Sequence, residues 1–224
     1  MTEAEALRHL LETRHSCRHF LPRPVDREVI EQILGVAQRS ASWCNTQPWQ
    51  VHITEGQSTE TLRAGLTRYA AAADDEPDLT FPARYAGIYD ARRKECAWQL
   101  YEQVGVERGD RDASRRQTSK NFELFDAPHV AIITTERDLG VYGVLHCGLY
   151  IQAFVLAAHS LGVATIAQAA LATCAPYLRD HLDLAEDRQV VCGISFGYED
   201  VDHPANAFRT TRADVADVAH WVTS

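Results

Sequence analysis

The chain has no surplus of positive charge. Its 224 residues carry a formal net charge of −9. A protein of this charge is repelled by nucleic-acid phosphates and by anionic membrane surfaces, which excludes both as general partners. No apolar run approaches the roughly 18 residues that a membrane span needs, and residues 2–9 are too charged for a secretory signal. The composition therefore predicts a cytoplasmic protein that binds neither membrane nor nucleic acid.

Cysteine pairs at metal or redox spacing are also missing. The six cysteines stand at positions 17, 44, 96, 147, 174 and 192. None belongs to a Cys-x-x-Cys pattern, so the sequence offers no zinc site and no redox dithiol. Reduced thiols in the cytoplasm are the simplest interpretation. Cys44 is better explained as a small space-filling residue in a tight turn than as a nucleophile.

The glycine-rich turn of a dinucleotide-binding fold is absent too. A plain Rossmann unit has such a turn after its first strand, and neither Gly35 nor Gly56 supplies one. Helical patterns alternate instead with a few short strands, which favours an α+β layer fold. An apolar fraction of 46% supports one sizeable core. We therefore expect a single domain over residues 1–224.

Hydrophobic periodicity predicts the individual elements. Helices are expected over residues 3–13, from the N-cap Asp26 to about 37, and over 58–72, 84–104, 142–161 and 173–182. Strands are expected over residues 50–54, 129–135, 163–167 and 189–196. Residues 74–120 resemble a packed core least and are expected to form an excursion over a ligand site, with a loop at 74–82 and a strongly charged, solvent-facing stretch at 109–120. Residues 198–224 carry too few apolar side chains to fold on themselves.

One segment has the residue types of a phosphate site. In Arg14-His15-Ser16-Cys17-Arg18, alternate residues of an extended chain point to the same side. Arg14, Ser16 and Arg18 could therefore converge on one phosphate, and His15 adds an imidazole. The alternative is a solvated basic loop.

A second segment, Ser40 to Trp49, combines a small-residue turn with two side-chain amides. Asn45 and Gln47 could read the edge of a planar heterocycle, because an amide both donates and accepts hydrogen bonds. Pro48 is expected to push Gln47 towards an extended conformation. Taken alone, the segment could equally be an ordinary polar loop.

Together the two segments closely resemble the flavin-dependent nitroreductase family, and in particular its nitrobenzoate-reductase-like branch. The resemblance continues through Lys120–Pro128, Leu161–Ala170, Gly193–Gly197 and Pro204–Arg212. It implies a central mixed, mostly antiparallel sheet wrapped by helices, in an intertwined homodimer. The tail at 198–224 would cross onto the partner subunit, and the flavin would lie at the interface.

The resemblance also implies the chemistry. FMN would be the cofactor and NADH or NADPH the co-substrate, with electrons passing by a ping-pong mechanism to an electron-poor acceptor, most simply a nitroaromatic compound. No nucleophile, metal cluster or acid–base pair stands out in the sequence. That fits a flavoenzyme, in which the protein supplies binding, orientation and electrostatics and needs no catalytic residue of its own.

The family pattern assigns cofactor contacts to this chain. They are Arg14, His15, Ser16, Arg18, Ser42, Trp43, Asn45, Gln47, Lys120, Asn121, Ala167, Gln168, Ala169, Arg209 and Arg212. Trp43 stands where smaller residues are commoner, and Ala167 replaces a frequent proline. Lys120 and Asn121 could equally be surface polar residues before a strand.

Four aromatic residues in the excursion are candidates for a substrate lid, namely Tyr85, Tyr89, Trp98 and Tyr101. Aromatics at helical spacing can also be core packing. Arg92, Arg93 or Lys94 could attract an acidic substrate such as a nitrobenzoate.

Four other functions remain open. A reductive dehalogenase is disfavoured because Ala97 stands four residues before Tyr101, where a glutamate would be wanted; another flavin-dependent dehydrogenase of the same fold is a further option. A non-catalytic flavin-binding protein would not oxidise NAD(P)H. An interaction protein without a cofactor would leave Arg14, Arg18 and Arg212 apart in space.

Overall fold

The computed structural model describes residues 1–223 and contains an antiparallel sheet enclosed by helices. Its strands are β1 (Gln50–Thr54), β2 (His129–Glu136), β3 (Ala164–Gln168) and β4 (Arg188–Gly197). Its helices are α1 (Glu3–Thr13), α2 (Arg27–Ala37), α3 (Gln57–Ala72), α4 (Gly87–Gln103), α5 (Arg111–Ser119), α6 (Gly140–Ser160) and α7 (Ala175–His181). The α+β class and most element positions predicted from periodicity are confirmed.

The sheet has the strand order β1-β2-β4-β3, with every neighbouring pair antiparallel. Its parallel component is a single bridge between Ser16 and Thr165. Both central strands are almost wholly buried, because helices cover both faces of the sheet. This explains why β2 and β4 are continuous apolar runs rather than alternating ones.

Two apolar clusters lie on opposite faces of the sheet. On one face α2 and α6 pack against it through residues such as Ile33, Tyr150 and Phe154. On the other, α3, α7 and the short turn Ala169–Cys174 form a second cluster. The edge strand β3 stays free of a further strand partner in the described chain, and the N-terminal segment after α1 runs along it.

His129 at the start of β2 is a buried histidine held in its neutral form. Its Nε2 accepts the backbone N–H of Val25 (3.0 Å), so its Nδ1 carries the proton and donates to the carbonyl of Thr54 (3.2 Å). Burial lowers the pKa of His129, outweighing the opposite effect of the Thr54 carbonyl. Protonation would remove the acceptor that Val25 uses.

Several boundaries differ from the sequence prediction. The charged stretch at 109–120, for which no helix was predicted, contains helix α5, whose N-cap Asp110 accepts the N–H of Ala113 (2.8 Å). Asp26 does occupy an N-cap position, but its side chain makes no capping hydrogen bond. The helix expected over 173–182 is a short 3₁₀ turn followed by α7.

The segment Arg137–Ser160, which includes α6, is long and apolar enough to cross a membrane by length and composition alone. The expectation that no run approaches this limit was therefore wrong. The inner side of α6 is a core element, since Tyr150, Phe154 and Ala158 are buried against the sheet. A core helix passes the same test, so length and composition carry little weight here.

Candidate functional site

The segment Arg14–Arg18 follows directly from the end of α1 and runs beside β3. Arg14 is the C-cap residue of α1 and has an extended backbone (φ −62°, ψ 133°). The N–H of Cys17 donates to the carbonyl of Thr165 (3.0 Å), which fixes the segment against the sheet edge. Because the chain is extended, Arg14, Ser16 and Arg18 alternate with inward-facing Cys17.

Asn206 joins the C-terminal tail to this segment. Its buried amide accepts the backbone N–H of Arg18 (2.6 Å) and donates to the carbonyls of His19 and Asp200 (both 2.9 Å). A buried amide with these partners satisfies its hydrogen-bonding groups and holds the two chain segments in one register. The tail is thereby positioned so that Arg209 and Arg212 come beside Arg14.

The two segments enclose a cavity of about 610 Å³, called here the arginine cavity. It is lined by Leu11, Glu12, Arg14, His15, Ser16, Arg18, Cys96, Gln152, Phe208, Arg209, Thr210 and Arg212. The sequence prediction that the N-terminal and C-terminal arginines lie together is thus matched by the geometry. Six of the residues predicted to contact the cofactor line this one cavity.

The arginines of the cavity form no ion pair among the described residues. Within residues 1–223, no ion pair of 4 Å or less connects any of its four arginines to a carboxylate, although Glu12 also lines the cavity. Burial lowers the pKa of Arg14, and the neighbouring charge of Arg212 lowers it further. Burial lowers the pKa of Arg18 as well. Such a crowded set of guanidinium groups favours a bound anion.

A second cavity of about 320 Å³ adjoins the first along β3, and we call it the β3 cavity. It shares Ser16, Arg18 and Cys96 with the arginine cavity. Its other lining residues are Arg93, Ala97, Leu100, Tyr101, Gln117, Thr118, Asn121, Phe125, Ile166, Ala167, Gln168, Ala169 and Ala170. The two cavities together form one elongated space that has four arginines at one end.

Ala167 and Gln168 at the end of β3, and Ala169 directly after it, line this space. Ala167 and Ala169 are exposed, whereas Gln168 between them is buried. The side chain of Gln168 is already used, since its Nε2 donates to the carbonyl of Asn121 (2.9 Å) and its Oε1 accepts from Ser195 (2.5 Å). Only the main chain of Gln168 is therefore left to meet a ligand.

Asn121 lies beside β3 and is followed by a strained turn that leads into β2. Leu124, Phe125 and Asp126 all have positive φ (57°, 52° and 66°), a conformation that non-glycine residues rarely adopt. Asn121 consequently lines the β3 cavity. Lys120 does not line it. It faces a separate cavity beside His19 and His203, and its Nζ contacts a carboxylate oxygen of Glu123 (2.5 Å).

The turn Ser42–Gln47 lies elsewhere in this chain, against the start of α6. The N–H of Trp43 donates to Nε2 of His146 (3.1 Å), and the Trp43 and Tyr142 rings meet edge to face. Within the described residues, neither cavity is lined by any part of this turn. The sequence resemblance assigns the turn to the flavin of the other subunit, so this separation fits that expectation.

The backbone of the turn differs from the prediction. Gln47 was expected to be extended because Pro48 follows it, yet its φ is +46°. Its N–H donates to Oγ of Ser42 (2.9 Å), and its Oε1 accepts from Nε2 of Gln38 (2.9 Å). These contacts overcome the local preference. Cys44 is in the turn as expected, but it is exposed and fills no space in a single subunit.

The predicted lid residues separate into two groups. Tyr101 lines the β3 cavity, whereas Tyr85, Tyr89 and Trp98 are not among its lining residues. Trp98 instead packs edge to face on Tyr101, and Tyr89 is exposed.

Sequence reasoning missed several lining residues. Cys96, Gln117 and Thr118 carried no motif, and Phe208 and Thr210 were passed over beside the tail arginines. Gln152 did offer a signal, since it is a polar residue inside the apolar helix α6. A polar residue in such a stripe often faces a ligand site or an interface.

Comparison with known proteins identifies the family. Residues 11–198 match the model of the nitroreductase family. This chain is a member of the nitroreductase family. It is 31% identical to a 4-nitrobenzoate reductase of Pseudomonas putida over 94% of this chain and 92% of that protein. It is also 31% identical to a nitrobenzene nitroreductase of Ectopseudomonas oleovorans, with 95% of each chain covered.

A solved nitroreductase has nearly the same fold. The FMN-dependent nitroreductase NfnB of Mycobacterium smegmatis, determined in complex with NADPH, superimposes with a TM-score of 0.94 at 27% identity. The match covers 99% of this chain and all of that one. The family relationship and the nitroreductase fold inferred from the sequence are both confirmed.

The residues present fit FMN by their own chemistry. A phosphate suits the arginine cavity, whose guanidinium groups lack carboxylate partners among the described residues. A flat ring system suits the adjoining β3 cavity, whose lining includes the apolar side chains of Leu100, Phe125 and Ile166 and the exposed residues Ala167 and Ala169.

Proposed function

We propose that this protein is an FMN-dependent nitroreductase that uses NADH or NADPH to reduce nitroaromatic compounds. The observation that carries the proposal is the elongated space formed by the two cavities. One end holds four arginines without carboxylate partners in residues 1–223, and the other end is a narrow chamber beside β3. The P. putida and E. oleovorans relatives named above act, by their names, on nitroaromatic substrates.

Each part of the chain would have a separate role. Arg14, Arg209 and Arg212 would bind the phosphate, and Ser16 and Arg18 would connect the two cavities. The main chain at Gln168 would meet the ring edge, and Asn121, whose side-chain amide donates to Thr118 and accepts from Gln168, would hold Gln168 in place. When bound, FMN would supply the redox chemistry by accepting hydride from NAD(P)H and passing electrons to the acceptor. Fixed dipoles around the ring would stabilise the charge that reduction adds.

The proposed enzyme is a homodimer with the flavin at its interface. On α6, Val141, Leu145 and Leu149 form an i, i+4, i+8 stripe and are 74%, 53% and 46% exposed. Three large apolar side chains in one stripe are typical of a surface that another protein covers. A second copy on this face would bring its own Trp43 turn to a flavin of the first, which one chain alone does not do.

The tail gives further support for a dimer. Val215, Val218 and Trp221 are all largely exposed, and the described residues beyond Asn206 form neither an α-helix nor a strand. Apolar side chains on an extended tail find a buried environment if the tail lies on a partner subunit. We place the protein in the cytoplasm, in keeping with six cysteines that form no disulfide.

The visible spectrum of the purified protein tests the proposed function. A yellow protein should lose its visible flavin absorbance when NADH or NADPH is added without oxygen. It should regain that absorbance when a nitroaromatic is added. Bleaching without recovery would show that the protein is a flavoenzyme whose acceptor is not the nitroaromatic compound added. A colourless protein that does not take up added FMN would refute the proposal.

A further inference from the structure

One side of helix α4 forms a wall of the β3 cavity. The residues of α4 that line the cavity are Arg93, Cys96, Ala97, Leu100 and Tyr101. Their spacing of three and four residues is that of a single helix face. Arg92 and Lys94 lie off this face and are not among the cavity's lining residues. Of the three cations that the sequence offered for an acidic substrate, the structure therefore selects Arg93.

The charge of Arg93 is only weakly compensated. Its Nη1 lies 4.0 Å from a carboxylate oxygen of Asp90, at the outer limit of an ion pair. Asp90 makes its short contact with Lys94 instead, at 2.7 Å. The guanidinium of Arg93 lies over the ring of Tyr85, 5.3 Å from its centre. A stacked guanidinium keeps its N–H donors at its edge, where a planar anion can approach them.

The cavity around Arg93 favours a negative ligand. No carboxylate appears among its lining residues in the described chain, and Arg18 lies at its inner end. The rest of the lining is apolar or neutral, as Leu100, Phe125 and Ile166 illustrate. Since the whole protein has a formal charge of −9, an anionic substrate would be repelled in general. A local cation at the cavity is what would retain it.

We propose that Arg93 binds the anionic group of the electron acceptor, so that the enzyme prefers nitroaromatic carboxylates to neutral nitroaromatics. The proposal rests on the nitroreductase function proposed above. Arg93 would determine specificity by contact with the substrate and would take no part in electron transfer. A phosphate of NADPH offers the same negative charge, so the test has to separate these two ligands.

The test compares Arg93→Gln with the matched variant Arg92→Gln, which removes the same charge one residue away. The probes are 4-nitrobenzoate and its neutral analogue 4-nitrobenzamide. In Arg93→Gln the ratio of kcat/KM for the two probes should fall about fivefold, because exposed ion pairs contribute up to about 1 kcal/mol. Arg92→Gln should leave the ratio unchanged, and Arg93→Lys should restore part of it.

A binding measurement checks the same contact without turnover. Calorimetry with benzoate and the FMN-loaded protein should show a dissociation constant about fivefold higher in Arg93→Gln than in the wild type. Equal benzoate binding and an unchanged probe ratio in Arg93→Gln would overturn the proposal. Equal falls of the probe ratio in Arg93→Gln and Arg92→Gln would also overturn it. So would an Arg93→Gln variant whose KM rises for NADPH but not for NADH while the probe ratio stays the same.

The two proposals fail in different ways. If the wild type reduces 4-nitrobenzamide and its probe ratio does not depend on Arg93, the proposed nitroreductase function stands and the proposed acceptor preference is refuted. If the wild type reduces neither probe, the nitroreductase function is lost, and the benzoate measurement still decides whether Arg93 binds an anion.

Discussion

Replacement of Arg14 by glutamine should weaken FMN binding without lowering the stability of the folded protein. Within residues 1–223, the only hydrogen bond that Arg14 makes is from its backbone N–H to Leu10. The side chain is half-buried beside Arg212, and both burial and that neighbouring charge lower the pKa of Arg14. The substitution therefore removes an uncompensated charge from the apoprotein and leaves the helix cap in place.

The expected loss of FMN affinity follows from the hydrogen bond that Arg14 would make to the phosphate. A hydrogen bond to a charged group contributes about 1.5–3 kcal/mol. Taking about 2 kcal/mol for a half-buried arginine, the dissociation constant for FMN should rise about 30-fold. The melting temperature of the apoprotein should stay the same or rise slightly, because repulsion from Arg212 is relieved.

The assay is a fluorescence titration with FMN and, in parallel, with riboflavin, which lacks the phosphate. Arg14→Gln should weaken FMN binding and leave riboflavin binding nearly unchanged. Arg27→Gln is the matched control, because Arg27 pairs with Glu55 on the surface and lines neither cavity. Equal weakening for both flavins would refute the phosphate assignment, as would an unchanged constant for FMN.

Three further predictions concern stability and assembly. Burial lowers the folded-state pKa of His129, so the wild type should have its full stability above the ordinary pKa of about 6.5 and lose stability as the pH falls towards the folded pKa. In urea titrations at several pH values, the stability of His129→Gln should depend less on pH than that of the wild type. Gly197→Ala should cost about 1–3 kcal/mol, because the added Cβ would lie 2.6 Å from the rigid ring of Pro128. Leu145→Glu should convert the proposed dimer to a monomer in sedimentation, since it places a charge on the exposed stripe of α6.

Each of these has a result that would count against it. An unchanged pH dependence in His129→Gln would show that other groups control acid unfolding. Gly35→Ala is the control for Gly197, because nothing lies within 4 Å of its added Cβ and alanine favours a helix; it should stabilise the protein. A Gly197→Ala variant as stable as the wild type would mean that Pro128 can move. A dimeric Leu145→Glu variant would exclude the α6 stripe as the interface.

Features that depend on near neighbours could be predicted from the sequence alone. Apolar periodicity located the strands β1 and β2 and the helices α1, α2 and α6, since each pattern is complete within its own element. Alternation in Arg14–Arg18 indicated which side chains share a side. Motifs in their family order then indicated the nitroreductase family, which the comparisons confirm.

Tertiary contacts set which distant segments form the cavities. Arg18 and Asn206 are 188 positions apart, yet the hydrogen bonds of Asn206 with Arg18 and His19 hold the tail against the N-terminal segment. The contact between Asn121 and Gln168 and the left-handed backbone of Gln47 likewise depend on partners outside the local pattern. Local preferences differ by about 1 kcal/mol or less per residue, so hydrogen bonds between distant segments can overrule them. For the same reason, the selection of Arg93 over Arg92 and Lys94 required the observed orientation of α4 beside β3.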